Sequence, residues 1–125
     1  MHKLSYDPEL ALLEYDLTGY WSIEEFRRFE AELRAFHVQI RGDRTSYRVL
    51  ANARDFAVQS AEVRTAFEAL FEALSRENAG PFAVVVSSAL NSIQAKRALP
   101  LARVRTFNDD GEARHWLLAG NSLPE

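Results

Sequence analysis

The chain contains no cysteine among its 125 residues. This absence excludes disulfide bonds and thiolate metal sites, and it favours a protein of the reducing cytoplasm. A chain of this length buries most of the surface that its unfolded form exposes, so it needs no covalent cross-link to fold. We therefore expect one folded domain over residues 1–125.

Long apolar runs and an excess of basic residues are also missing. The longest apolar stretch, residues 82–86, is far shorter than the roughly 20 residues of a membrane-spanning helix, and the N-terminal residues lack the apolar segment of a secretion signal. We expect no membrane insertion. Because 18 acidic residues outnumber 15 lysines and arginines, the formal net charge is −3. This balance predicts no nucleic-acid binding, which depends on neutralising phosphates.

Motifs of catalysis and cofactor binding are absent from the sequence. It has no GxSxG nucleophile elbow, no P-loop and no GxGxxG turn. His2, His37 and His115 are too scattered to suggest a metal site, and we expect all three at the surface. We therefore predict a protein without metal or cofactor that is not an enzyme. A hydrolase whose residues converge only in space is the alternative.

What the sequence does contain is a series of short amphipathic segments. Residues 10–17 alternate apolar and polar side chains, the period of a half-buried strand, and residues 4–6 predict a shorter strand before a turn at Asp7. Residues 47–53 predict a third strand. Residues 82–86 lack polar alternation and predict a central strand, whereas the strict alternation of residues 103–107 predicts an edge strand.

Helix signals lie between these strands. Ser22 followed by Glu25 forms a capping box, and Ser60 is the expected N-cap of a second helix. A shorter helix is predicted around Ile93, Ala95 and Leu99, and a last one after Asp109. The order ββαβαβαβα predicts an α/β fold with a five-stranded mixed, mostly parallel sheet and about four helices. Right-handed crossovers would place the helices on one face and leave the other partly bare.

Three segments of the sequence resemble one known family. Residues 17–19 with 21–26 are similar to its glycine turn and acidic helix opening. Residues 47–56 are similar to its strand that ends in acidic or amide residues before the second helix. Residues 104–109, with Glu112-Ala113 and Trp116-Leu117, are the most distinctive. In this order they resemble the SpoIIAA-like family, within the STAS domains named for sulfate transporters and anti-sigma factor antagonists.

The resemblance implies a STAS-type sheet packed with helices and a non-enzymatic regulatory role through a protein partner. Some relatives are switched by phosphorylation in an Asp-Ser-Ser-Gly run at the start of the second helix. This chain has residues 59–62 there, and only Ser60 matches, so Ser60 is the candidate phosphorylation site. A phosphate at this position would meet free amide groups and the positive end of the helix dipole. Simple capping of the helix is the other role open to Ser60.

Two further groups of residues are candidates for a ligand or partner surface. Tyr20 and Trp21 follow the second strand at its carboxyl end, where open α/β sheets bind ligands. They line an apolar pocket or partner surface, or else form a hydrophobic staple over the helix start. The second group is a basic patch suited to an acidic partner or a phosphate, with a solvated helix face as the alternative: Lys96, Arg97, Arg103 and Arg105.

These candidates leave three functions open. The first is the regulatory module with an unidentified protein partner. The second is a small carrier that shelters a hydrophobic or lipid-like molecule beneath Tyr20 and Trp21, since the resemblance extends in fold to CRAL-TRIO lipid carriers. The third is an accessory subunit whose bare sheet face forms a homodimer.

Overall fold

A five-stranded sheet forms the centre of the fold. The computed structural model describes residues 1–87, 93, 104–119 and 123. Within them the elements are β1 (His2–Asp7), β2 (Leu12–Gly19), α1 (Ile23–Asp43), β3 (Arg48–Phe56), α2 (Ala61–Ser75), β4 (Phe82–Val85), β5 (Val104–Phe107) and α3 (Asp110–Leu118). The strands lie side by side in sequence order, with β1 antiparallel to β2 and all later neighbours parallel. The predicted α/β class and five-stranded mixed sheet are confirmed.

The turn between β1 and β2 is closed by an aspartate side chain. The Asp7 carboxylate accepts hydrogen bonds from the backbone N–H groups of Glu9, at 2.9 Å, and Leu10, at 3.4 Å. Such a bond to the backbone two residues on is typical of Asx turns. The predicted turn at Asp7 is confirmed, and it sets the antiparallel register in which Asp7 faces Leu12.

Helices α1 and α2 pack on one face of the sheet. They meet inward side chains of β2 and β3 such as Leu13, Tyr15 and Val49. The helix side chains that are buried recur at intervals of three and four, as the sequence predicted for an amphipathic helix. They are Phe26, Phe29, Leu33, His37 and Ile40 of α1, and Val63, Phe67, Leu70, Phe71 and Leu74 of α2.

Helix α3 packs on the opposite face. Its buried residues Ala113 and Leu117 form a second cluster with alternate residues of the strands, namely Leu12, Leu50, Ala83 and Val85. Because successive side chains of a strand point to opposite faces, α3 lies across the sheet from α1 and α2. The prediction that all helices share one face is therefore wrong. The crossover rule governs helices that join parallel strands, and α3 follows the last strand.

The remaining elements agree with their sequence patterns where the structure describes them. Strand β4 lies between β3 and β5 and is covered on both faces, whereas β5 forms an edge of the sheet. The predicted helix around Ile93, Ala95 and Leu99 falls almost wholly outside the described residues, which contain three helices. None of the helices in this described part is long and apolar enough to cross a lipid bilayer.

Candidate functional site

The carboxyl ends of β2 and β3 lie side by side at one edge of the sheet. Gly19, the last residue of β2, pairs with Phe56, the last residue of β3. Gly19 has a φ of 83°, a left-handed conformation that glycine adopts without steric cost, and it turns the chain out of the sheet. Two loops, residues 20–22 and 57–60, lead from this edge into α1 and α2. We call them the carboxyl-edge loops.

The side chain of Gln59 joins the two loops. Its Oε1 accepts a hydrogen bond from the backbone N–H of Trp21 at 2.7 Å. Its Nε2 donates to the carbonyl oxygens of Gly19, at 2.9 Å, and Ala57, at 2.7 Å. Gln59 is only 5% exposed, so these bonds are shielded from water and costly to break. No sequence pattern predicts this role, because a lone polar residue before an N-cap belongs to no period or motif.

Trp21 is a core residue. It is 2% exposed, and its ring lies 5.1–5.4 Å, centroid to centroid, from those of Phe29, Phe56 and Phe67. Its indole N–H donates to the carbonyl oxygen of Thr18 at 2.9 Å. Aromatic rings therefore fill the space beneath the loop, and Trp21 anchors the start of α1 to the core.

Tyr20 and Val58 point the other way. They are 66% and 43% exposed, although each is a direct neighbour in sequence of residues held by Gln59. Ser60 lies next to Gln59, is half-buried, and accepts a hydrogen bond on Oγ from the backbone N–H of Val63 at 3.2 Å. Ser60 thus caps α2 as predicted. We call Tyr20, Val58 and Ser60 together the carboxyl-edge surface.

The structure describes one member of the predicted basic patch. The guanidinium carbon of Arg105 lies 5.4 Å from the ring centroids of both Phe107 and Trp116, a cation–π arrangement beside α3. Lys96, Arg97 and Arg103 fall outside the described residues. Their convergence with Arg105 stays a prediction.

His2 is enclosed by two carboxylates rather than lying free at the surface. Its side chain is 8% exposed; Nδ1 lies 2.5 Å from Glu25 Oε2, and Nε2 is hydrogen-bonded to Glu32 Oε2. Burial raises the pKa of Glu25, but His2, the N-terminal amino group and Arg28 outweigh it and leave that pKa below its ordinary value.

His37 is buried, at 5% exposure, so the prediction of three surface histidines holds only for His115. The Nδ1 of His37 lies 2.6 Å from the hydroxyl oxygen of Tyr47, and its Nε2 lies 2.9 Å from Glu77 Oε1. Burial raises the pKa of Tyr47 strongly; Arg41 opposes this effect and Glu77 adds to it. Within the part of the chain that the structure describes, no three histidine or acidic side chains are grouped to hold a metal ion.

Comparison with known proteins adds no family to this geometry. Neither a protein-family model nor a curated protein matches the sequence of this chain.

Proposed function

We propose that this protein is a non-enzymatic binding and regulatory module of the STAS type, and that it contacts a protein partner through the carboxyl-edge surface. The observation that carries this proposal is the Gln59 network, which fixes both loops while Tyr20 and Val58 stay exposed. Loops that are ordered before binding lose less conformational entropy on association. Tyrosine is also among the residues that contribute most to binding at interfaces.

Control by phosphorylation of Ser60 is the second part of the proposal. The hydroxyl lies at the N-terminus of α2, where free amide groups and the helix dipole stabilise a phosphate. A phosphate would add a charge of about −2 next to the apolar side chains of Tyr20 and Val58. Because a partner would have to desolvate that charge, we expect phosphorylation to weaken the contact.

The partner surface is tested by affinity capture from the native host with matched variants. We expect wild type to recover a partner at a fixed stoichiometry, and Tyr20→Ser with Val58→Ser to lose it. The control is Val38→Ser, which changes a valine that is 71% exposed on α1. Equal loss in both variants, or no partner for wild type, would count against the surface. Unchanged thermal unfolding confirms that the variants are folded.

The switch is tested by two variants that both preserve the helix cap. Aspartate and asparagine are equally good N-caps and differ in charge. We expect Ser60→Asp to weaken partner binding and Ser60→Asn to leave it unchanged. Equal binding by both variants, together with unmodified Ser60 in host cells, would contradict control by charge.

The carrier function has less support from the geometry. Phe29, Phe56 and Phe67 fill the space beneath Trp21 in which a lipid-like molecule would have to lie. Homodimer formation through the second sheet face is likewise less supported, because α3 covers that face over β4 and its neighbours. Native mass spectrometry of protein from its own host distinguishes the three functions. A carrier retains the mass of a ligand, and a homodimer has twice the mass of one chain.

A further inference from the structure

We propose that a small pocket at the amino ends of the parallel strands binds a neutral alcohol or phenol. The pocket lies at the opposite edge of the sheet from the carboxyl-edge surface, so the proposal is independent of the proposed function. Its walls are mainly apolar and include Leu13, Val49, Phe71, Leu74 and Phe82. The space of about 30 Å³ in the pocket admits a hydroxyl group and adjoining atoms, while the rest of a ligand lies in the open mouth.

Tyr15 supplies a hydrogen-bond donor to this pocket. It lines the pocket and is 2% exposed, yet its hydroxyl has no hydrogen-bond partner among the described residues. In the described part of the chain, every fully buried side-chain oxygen or nitrogen has a hydrogen-bond partner. The Tyr15 hydroxyl has none, so it must keep some accessible surface, and the space that Tyr15 lines is the pocket. Burial, with a contribution from Tyr47, raises the pKa of Tyr15. Its hydroxyl therefore stays protonated and donates.

Tyr47 is the second tyrosine of the pocket. It also lines the pocket, and its hydroxyl begins a chain of hydrogen bonds through His37 to Glu77. The Tyr47 hydroxyl is therefore already engaged within the protein, whereas that of Tyr15 is not.

The class of ligand follows from the Tyr15 donor and the apolar walls. The oxygen of a neutral alcohol or phenol accepts a hydrogen bond, so it matches the free hydroxyl donor of Tyr15. A charged ligand is disfavoured, because its charge would be buried among apolar walls without a counter-ion. The rings of Phe71 and Phe82 lie 6.5 and 6.2 Å from that of Tyr15, which favours an aromatic body. Phenol is the simplest molecule with these properties.

The test is titration of the full chain with phenol and, separately, with toluene. Binding is monitored by calorimetry and by side-chain NMR signals. We expect saturable one-site binding of phenol, with toluene several-fold weaker. Tyr15→Phe keeps the ring and removes the donor, so it should weaken phenol about threefold to tenfold and leave toluene unchanged. The control is Tyr20→Phe, which removes an exposed hydroxyl at the other edge and should change neither affinity.

Three outcomes would overturn the proposal. They are phenol binding that does not saturate, phenol binding no stronger than that of toluene, and equal loss in Tyr15→Phe and Tyr20→Phe. A pocket that holds only water gives the first outcome. The comparison of phenol with toluene on wild type decides the matter even where Tyr15→Phe fails to fold.

Discussion

The side chain of Gln59 accepts a hydrogen bond from the backbone N–H of Trp21 across 2.7 Å, and this contact joins the first loop of the carboxyl edge to the second. Because Gln59 also donates to Gly19 and Ala57, one side chain fixes the chain at three points. The arrangement explains how Tyr20 stays exposed beside a tryptophan that is fully packed.

Gln59→Ala removes all three hydrogen bonds and leaves the Trp21 N–H without its acceptor. Since an unsatisfied buried group costs about 1–3 kcal/mol, we expect the free energy of unfolding to fall by about 2–4 kcal/mol in urea titrations. Hydrogen exchange of the Trp21 amide should accelerate. Gln39→Ala is the control, because Gln39 is exposed on α1 and should change stability by less than about 0.5 kcal/mol. Similar losses in the two variants would contradict the role of Gln59.

Among the glycines that the structure describes, Gly80 leaves the least room for a side chain. A Cβ built there lies 2.0 Å from the carbonyl oxygen of Tyr47 and 2.8 Å from its carbonyl carbon. This peptide cannot shift cheaply, because the Asn78 side chain bonds both the N–H and the carbonyl of Tyr47. We expect Gly80→Ala to lower the free energy of unfolding by about 3 kcal/mol or more.

Gly42 provides the matched control for that substitution. It lies near the end of α1, and a Cβ there meets nothing within 4 Å. Because alanine favours a helix over glycine, Gly42→Ala should raise the free energy of unfolding by about 0.5 kcal/mol. Chemical denaturation of both variants checks the pair, and the expectation fails if alanine is tolerated equally at the two positions.

The sequence predicted those features that depend on local periodicity or on caps. Ser22, Ser60 and Asp109 cap helices where expected, because a cap is a contact over three residues. Glu25, by contrast, directs its carboxylate to His2, 23 positions away, which a local pattern cannot reveal. The sequence could not predict on which face of the sheet α3 packs, because no following strand constrains the last helix.

One missed feature did have a signal. His37 continues the spacing of Phe29 and Leu33 and precedes Ile40 by three positions, so it occupies the buried stripe of α1. A histidine in such a stripe needs buried hydrogen-bond partners. Tyr47 and Glu77 supply them from outside α1, and only the folded chain identifies them.

Acid should destabilise the contact between His2 and Glu25 in a defined direction. The pKa of Glu25 in the folded chain lies below its ordinary value of 4.5. The unfolded chain therefore binds this proton first, and the stabilisation is complete above pH 4.5 and is lost as the pH falls through the lower folded value. We expect wild type to lose more stability than Glu25→Gln between neutral pH and about pH 3.

The control for that measurement is Glu24→Gln in the same helical turn. Glu24 is exposed, so this variant should follow the wild-type dependence on pH. Urea titrations at the two pH values give the comparison. If Glu25→Gln also follows wild type, the ionised Glu25 does not stabilise the fold.

Arg114 connects α3 to the sheet. Its guanidinium donates to Glu14 of β2 and, from Nε at 2.7 Å, to Asp110 of α3. Hydrogen bonds donated to these two carboxylates, Glu14 first, hold the pKa of Arg114 above its ordinary value despite partial burial. The group therefore keeps its charge over the whole pH range in which the protein is folded.

Arg114→Met keeps the aliphatic stem and removes both ion pairs. Because the Arg114 and Glu14 side chains are 40% and 32% exposed, solvent screens the pairs, and we expect a loss of only about 1 kcal/mol in the free energy of unfolding. The difference from wild type should shrink as sodium chloride is raised to about 1 M. Arg76→Met is the control: Arg76 follows α2 directly and pairs with Glu72 of that helix at 74% and 63% exposure, so its loss should stay below about 0.5 kcal/mol. Equal losses that do not respond to salt would show that charge does not hold α3 on the sheet.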